Sequence, residues 1–203
     1  NVRRFFGIAA SLMHHDTRSH LDGAGMAAKI RKAKPTSSPR RMYVDYRYGQ
    51  LHLNTAFPPS GGFDEFTPLF LLHSEGGTGA DFKACAAMLG ADRSVYAPDL
   101  PGSGASDGPA GHMTIADLAA AIMELIDQLR LREVDLIGCG RGALVALELA
   151  ARRPREIRRL VIAGSQPAAA PAKPMLHLAE DSEVFTRQPL APQVARIREF
   201  LDN

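Results

Sequence analysis

Only two cysteines, Cys85 and Cys139, occur among the 203 residues. Two thiols cannot form the disulfide framework of a small secreted domain, so the sequence predicts a reducing compartment and a cytoplasmic location. No apolar run approaches the roughly 20 residues that a membrane-spanning helix needs, and no membrane partner is predicted. An excess of one charge is also missing, because 24 basic residues nearly balance 22 acidic ones. The net charge of +2 gives no warrant for a nucleic-acid partner.

What is present is an ordinary globular composition, with 45% hydrophobic and 23% charged residues. The length suits one domain with a sizeable core. Residues 1–40 differ from the rest because they are basic, with Asp16 and Asp22 as their only acids. This composition predicts a flexible basic tail ahead of a domain that covers 41–203. The chain begins with Asn1 rather than Met, as a fragment or a processed product would.

Two other interpretations of the N-terminal segment are open. The pair Arg3 and Arg4 precedes an apolar stretch, as in a twin-arginine export signal, but the stretch ends before His14 and is short for such a signal. His14, His15 and His20 could form a metal cluster, but no cysteine or carboxylate constellation accompanies them. The sequence therefore favours the tail, and it predicts neither a metal ion nor a cofactor.

From residue 41 onward, short apolar runs alternate with amphipathic stretches. The clearest helix signal is a capping box of Thr114 and Asp117 ahead of an apolar stripe. The alternation predicts an α/β fold with a mostly parallel sheet and helices on both faces. Strands are predicted within 41–57, 67–73, 94–102, 133–138, 158–164 and 175–181, and helices within 79–90, 114–131, 142–154 and 191–203.

The turn Leu136–Ala143, "LIGCGRGA", joins a predicted strand to a predicted helix. A nucleophile elbow, G-x-S-x-G, uses such a turn to lift a serine above the strand, but here the central place is Gly140. The spacing Gly138–Ala143 also fits the dinucleotide pattern G-x-G-x-x-A. The next predicted strand ends in Ala163–Ser165, without the acid that would bind a ribose hydroxyl. Dinucleotide binding stays open as the alternative.

The order of motifs between about Arg41 and Ser165 resembles that of the α/β-hydrolase superfamily. The motifs are "YVDYRYGQLHLNTA", "LFLLHSEGGTGADF", "VYAPDLPGSGASD" and "VDLIGCGRGALVALELAARRPREIRRLVIAGSQP", followed by the shorter "PMLHLAED". The segment "APDLPGSGASD" is the most specific of them. The resemblance implies the hydrolase fold and an ancestry among enzymes that hydrolyse esters, amides or related bonds.

The resemblance also implies the places of the catalytic groups. In a relative the nucleophile would fall on Gly140, and the acid would fall on Asp181 or on Glu180. The backbone N–H groups of Ser74 and Arg141 would form the oxyanion hole, and Ser74 takes the place of a glycine. Because these donors belong to the backbone, they could survive the loss of the serine.

Two parts of a triad hydrolase are missing from the pattern. No histidine follows His177, and a Pro/Ala connector over 166–174 stands in place of the cap. The resemblance therefore implies a hydrolase-family protein that is catalytically impaired or inactive, with a small-molecule ligand or substrate. Residual hydrolysis through bound water or a non-serine nucleophile stays an alternative. The lost final strand would expose a sheet edge through which copies of the chain could associate.

Two residues beside Gly140 allow two interpretations each. Cys139 could replace the serine as a nucleophile, but a buried small hydrophobe is favoured, since cysteines are usually buried. Arg141 could hold an anionic ligand beside the helix N-terminus, or it could be an exposed arginine without a role. The polar residues Asp99, Ser103, Ser106 and Asp107 are interpreted as turn residues.

Overall fold

The computed structural model describes residues 37–59, 66–164, 174–178 and 191–203. The strands are β1 (Arg40–Tyr46), β2 (Gly49–Ala56), β3 (Leu69–Leu72), β4 (Val95–Pro98), β5 (Val134–Cys139), β6 (Ile157–Ala163) and β7 (Met175–Leu178). The helices are α1 (Lys83–Leu89), α2 (Ile115–Gln128), α3 (Arg141–Arg152) and α4 (Ala191–Asp202), and a 3₁₀ turn, Gly79–Phe82, leads into α1. The predicted tail lies outside the described residues as far as residue 36, and the predicted boundary at 40 stays a prediction.

The described strands form one seven-stranded sheet in the order β1-β2-β4-β3-β5-β6-β7. The pairs β1–β2 and β2–β4 are antiparallel. The strands β4, β3, β5, β6 and β7 run parallel to one another. The predicted fold class, a mostly parallel sheet with hydrolase-like order, is confirmed.

Two apolar cores lie on opposite faces of this sheet. Successive side chains of a strand point to opposite faces, so Leu136 of β5 joins one core and its neighbour Ile137 joins the other. Helices α2 and α3 cover the first core, and α1 and α4 cover the second. The continuous apolar run of β3 is explained by this burial on both faces.

The predicted capping box starts α2. The Thr114 hydroxyl accepts a hydrogen bond from the Asp117 backbone N–H at 3.2 Å, and the Asp117 carboxylate accepts one from the Thr114 backbone N–H at 2.9 Å. Two N–H groups that a helix end leaves without partners are thereby satisfied. The box fixes the direction in which the chain enters α2 from the loop that follows β4.

The parallel strands bring three loops together at one end of the sheet. These loops follow the carboxyl ends of β3, β4 and β5, and ligands of open α/β sheets bind in the crevice at such ends. After β6, the segment that connects Ala163 to Met175 is too short to form a cap domain. Residues 166–173 of the predicted connector lie outside the described residues.

Candidate active site

Gly140 forms the turn between β5 and α3. Its backbone has φ 49° and ψ −115°, a conformation that residues with a Cβ rarely adopt. The Gly140 carbonyl accepts hydrogen bonds from the N–H groups of Ala143 at 3.1 Å and Leu144 at 3.4 Å, which start α3. The chain therefore makes a sharp strand–turn–helix connection at the place that the sequence predicts for an elbow.

The outer glycines of the pentad allow close backbone contacts. A Cβ on Gly138 would lie 2.5 Å from the Gly142 carbonyl oxygen, and a Cβ on Gly142 would lie 2.2 Å from the Leu72 carbonyl oxygen. Neither distance is tolerated, so α3 can pack this tightly against β3 and β5 only with glycine at both places. The frame of a nucleophile elbow is complete, and its central residue has no side chain.

His73 holds the loop after β3 against the loop after β4. Its side chain is buried, its Nδ1–H donates to the Ser74 carbonyl oxygen at 2.8 Å, and its Nε2 accepts from the Leu100 backbone N–H at 2.8 Å. The tautomer follows from these partners, since Leu100 can only donate. Burial lowers the pKa of His73 below its usual 6.5. With both nitrogens engaged, this imidazole cannot act as a general base for a nucleophile.

The two predicted oxyanion donors, Ser74 and Arg141, line the same cleft of about 200 Å³. Among the described residues, neither backbone N–H has a hydrogen-bond acceptor. Both can therefore donate to an oxygen atom of a ligand, although the oxyanion role itself stays a prediction. Other residues that line the cleft include Leu100, Pro101, Ser103, His112, Met113 and Leu118.

The Arg141 side chain bridges from α3 to the loop before α2. One guanidinium nitrogen donates to the Met113 carbonyl oxygen at 2.8 Å, and another lies 3.4 Å from a carboxylate oxygen of Glu75. About a quarter of the side chain is exposed. The interpretation of Arg141 as an exposed arginine without a role does not fit these contacts. The other interpretation, that Arg141 binds an anion, stays a prediction.

Asp99 organises the loop that follows β4. Its carboxylate accepts hydrogen bonds from the Gly79 N–H at 2.7 Å, the Ala105 N–H at 2.9 Å and the His52 Nδ1–H at 2.9 Å. The Asp99 carbonyl oxygen accepts from the Ser106 hydroxyl at 2.7 Å. Asp99 therefore acts within the turn, as the sequence predicts. Its partner His52 was missed, because nothing in a strand pattern links two residues that lie 47 positions apart.

The two thiols are poor candidates for a nucleophile. Cys85 and Cys139 are buried and free of disulfides. Burial raises the pKa of each thiol to about 12, and so both are protonated at neutral pH. The thiolate is the reactive form of cysteine. Cys139 lies in the apolar core, in keeping with the favoured interpretation.

Several predicted residues lie outside the described part of the chain. They include Asp181 and Glu180, the two candidates for the acid, and the histidines His14, His15 and His20. Within the described residues, no group of three metal-binding side chains occurs. None of the helices described is long and apolar enough to cross a bilayer.

Comparison with known proteins identifies hydrolases with similar sequences. The 2-hydroxymuconate semialdehyde hydrolase of Pseudomonas sp. strain CF600 is 34% identical over 102 residues, which cover 48% of this chain and 36% of that protein. The 2-hydroxy-6-oxo-2,4-heptadienoate hydrolase of Pseudomonas putida is 33% identical over 102 residues, with 48% and 37% covered. The chain thus spans less than half the length of these relatives.

Solved structures show the same similarity. One is a serine-to-glycine mutant of an N-acyl homoserine lactonase, complexed with N-hexanoyl homoserine lactone. It superimposes with a TM-score of 0.56 at 28% identity, over 64% of this chain and 47% of that one. The family model of the alpha/beta hydrolase fold matches residues 67–199, more than half of the chain. The sheet order and the strand–turn–helix connection at Gly140 agree with this match. The chain belongs to the α/β-hydrolase family.

Proposed function

We propose that this chain is an α/β-hydrolase-family protein that binds a small molecule in its cleft and does not hydrolyse it, because it lacks the nucleophile of a serine triad. The observation that carries the proposal is Gly140. It occupies the centre of a complete elbow frame, at the carboxyl end of β5, and has no atom that could attack a substrate. Since a triad mechanism requires a nucleophile at this place, the residue alone removes that mechanism.

The neighbours of Gly140 do not supply a replacement. The Cys139 thiol is buried and protonated, and among the described histidines only His73 and His112 line the cleft. His73 uses both ring nitrogens in holding two loops together, and His112 lies exposed on the loop before α2. The described part of the cleft therefore lacks a paired nucleophile and base.

The cleft nevertheless keeps the features that hold a carbonyl ligand. Ser74 and Arg141 line it, and their N–H groups have no acceptors among the described residues. In the similar lactonase, a serine-to-glycine mutant is complexed with a lactone. This precedent supports ligand binding by the present chain, since the fold can hold such a molecule with glycine in place of a serine.

The first test is the hydrolysis of an activated short-chain ester, p-nitrophenyl acetate, by the purified protein and by its Asp181→Ala variant. We expect equal rates from the two proteins, at the level of non-specific surface catalysis. A saturable rate that disappears in Asp181→Ala contradicts the proposal. That outcome supports residual hydrolysis, in which water bound near the oxyanion donors is oriented by Asp181.

The second test measures binding of N-hexanoyl homoserine lactone by calorimetry, followed by mass spectrometry of the recovered compound. Recovery of the intact lactone after saturable binding supports the proposal, and recovery of the opened acid contradicts it. Ser103→Trp, which places a bulky side chain at the cleft wall, is the control and should abolish the binding heat. Saturable binding of NADP instead, with no effect of the lactone, favours the dinucleotide alternative at Gly138–Ala143.

A further inference from the structure

We infer that Ser74 and Gly140 are a coupled pair, because a Cβ at position 140 would press against the Ser74 side chain across the space between the end of β3 and the elbow. This inference concerns the packing of the elbow, and it stands whether or not any turnover remains. It identifies Ser74 as a residue that opposes a side chain at position 140.

The distances across this space are short. A Cβ built on Gly140 would lie 3.1 Å from the Ser74 Cβ and 3.6 Å from the Ser74 Cα. Carbon atoms in favourable contact are about 3.5–4.0 Å apart, so the first distance lies in the repulsive range. The Ser74 Cβ therefore faces the place where the first side-chain atom of a nucleophile would lie.

The Ser74 backbone is held where it is. Its carbonyl oxygen accepts hydrogen bonds from His73 Nδ1–H at 2.8 Å and from the Gly77 N–H at 3.1 Å. His73 is in turn buried and bonded to the Leu100 N–H. A retreat of Ser74 from a new side chain would strain these bonds, and the clash is therefore not relieved cheaply.

The exchange of residue types agrees with this geometry. By the resemblance to hydrolases, Ser74 takes the place of a glycine and Gly140 takes the place of a serine. The pair thus carries one Cβ in either arrangement, on opposite sides of the same space. Removal of the Ser74 side chain should consequently make a side chain at position 140 less costly to stability.

A double-mutant cycle tests the inference through the free energy of unfolding of Gly140→Ala, Ser74→Gly and the double variant. The strain from the positive φ of Gly140 is common to both Gly140→Ala proteins, so it cancels in the cycle. We expect Gly140→Ala to lower the folding equilibrium constant about fivefold more when Ser74 is present than when it is replaced by glycine.

Gly76→Ala is the matched control. Gly76 lies in the same loop with φ 73°, but a Cβ there would meet nothing within 4 Å. We therefore expect its effect to be additive with that of Ser74→Gly. Additive effects at Gly140 overturn the inference. If Gly140→Ala fails to fold, recovery of folding in the double variant supports the inference.

A chemical readout separates steric exclusion from general stability. The thiol of Gly140→Cys should be alkylated by iodoacetamide several-fold faster in the Ser74→Gly background, because it can then reach its normal rotamers. Cys85 and Cys139 are buried and contribute only a slow background. Equal alkylation rates with and without the Ser74 side chain contradict the inference.

Discussion

Gly140 combines a positive φ with the lack of a side chain, and each property has its own consequence at the scale of the residue. The missing side chain leaves position 140 without an atom that could act as a nucleophile. The positive φ means that a residue with a Cβ at this place is held in a strained conformation, as active-site residues often are. A serine here would therefore add a reactive group at a cost in stability.

We predict that Gly140→Ser lowers the free energy of unfolding by about 1–3 kcal/mol, through backbone strain and contact with Ser74. Urea denaturation of the variant measures this change. Leu144→Ser, at a side chain of α3 that is 51% exposed, is the control and should change the stability much less. An unchanged or raised stability of Gly140→Ser contradicts the elbow geometry. The variant alone should gain no ester hydrolysis, since the described part of the cleft pairs no base with position 140.

His73 makes the stability depend on pH. Its pKa is lowered by burial in the folded protein, whereas the unfolded chain titrates near 6.5. The unfolded state therefore binds more protons below pH 6.5, and the stability contributed by neutral His73 is lost as the pH falls below that value. We predict that the stability decreases as the pH falls below 6.5, with a slope of at most about 1.4 kcal/mol per pH unit, the limit for one proton. In His73→Asn, provided that it folds, this part of the slope should disappear. An identical slope in both proteins would assign the effect to other groups.

At the scale of secondary-structure elements, the loop after β4 depends on one carboxylate. Asp99 accepts hydrogen bonds from two backbone N–H groups and from His52, and it is buried. Each of these donors loses its partner if the carboxylate is removed. Since Leu100, Pro101 and Ser103 of the same loop line the cleft, the loop conformation also sets the shape of the cleft.

We predict that Asp99→Ala lowers the free energy of unfolding by about 2–4 kcal/mol and weakens ligand binding in the cleft. Asp45→Ala removes an exposed carboxylate of the same length from β1 and serves as the control, with a change below about 0.5 kcal/mol. Hydrogen exchange of the amides of Gly79 and Ala105 reports the loop directly. Unchanged protection of both amides in Asp99→Ala would rule out this role.

The elements themselves follow from local sequence. The buried runs of β3 and β5, the hairpin of β1 and β2, and the capping box of α2 are each determined by residues close together in the chain. The side-chain bridges around the cleft are not. His52 meets Asp99, and Arg141 meets Met113, only because the sheet order brings distant loops together. Neither pairing leaves a periodic or spacing signal.

At the scale of the whole molecule, the two edges of the described sheet are β1 and β7. An edge strand presents N–H and C=O groups that can pair with a second chain. The sequence predicts association through the edge where a final strand would follow, which is β7. We propose that copies of this chain pair there.

We predict that light scattering detects dimers at high protein concentration, and that Met175→Lys in β7 reduces them several-fold, because a charged side chain disfavours edge pairing. Tyr43→Lys places the same charge on β1, where Tyr43 is exposed, and should leave the dimers unchanged. A loss of dimers in Tyr43→Lys alone would assign the contact to β1. A monomer at all concentrations contradicts the prediction.

The bridges around the cleft have an evolutionary consequence. His73, Asp99 and Arg141 hold the loops in place through bonds to backbone groups, and none of these bonds involves a side chain at position 140. Selection for a folded protein therefore acts on residues other than those on which selection for turnover acts. Once turnover is no longer selected, stability alone favours the replacement of a strained residue by glycine. The shape of the cleft is then kept although the catalytic residue is lost. A scaffold of this kind is a natural starting point for acquiring a binding role.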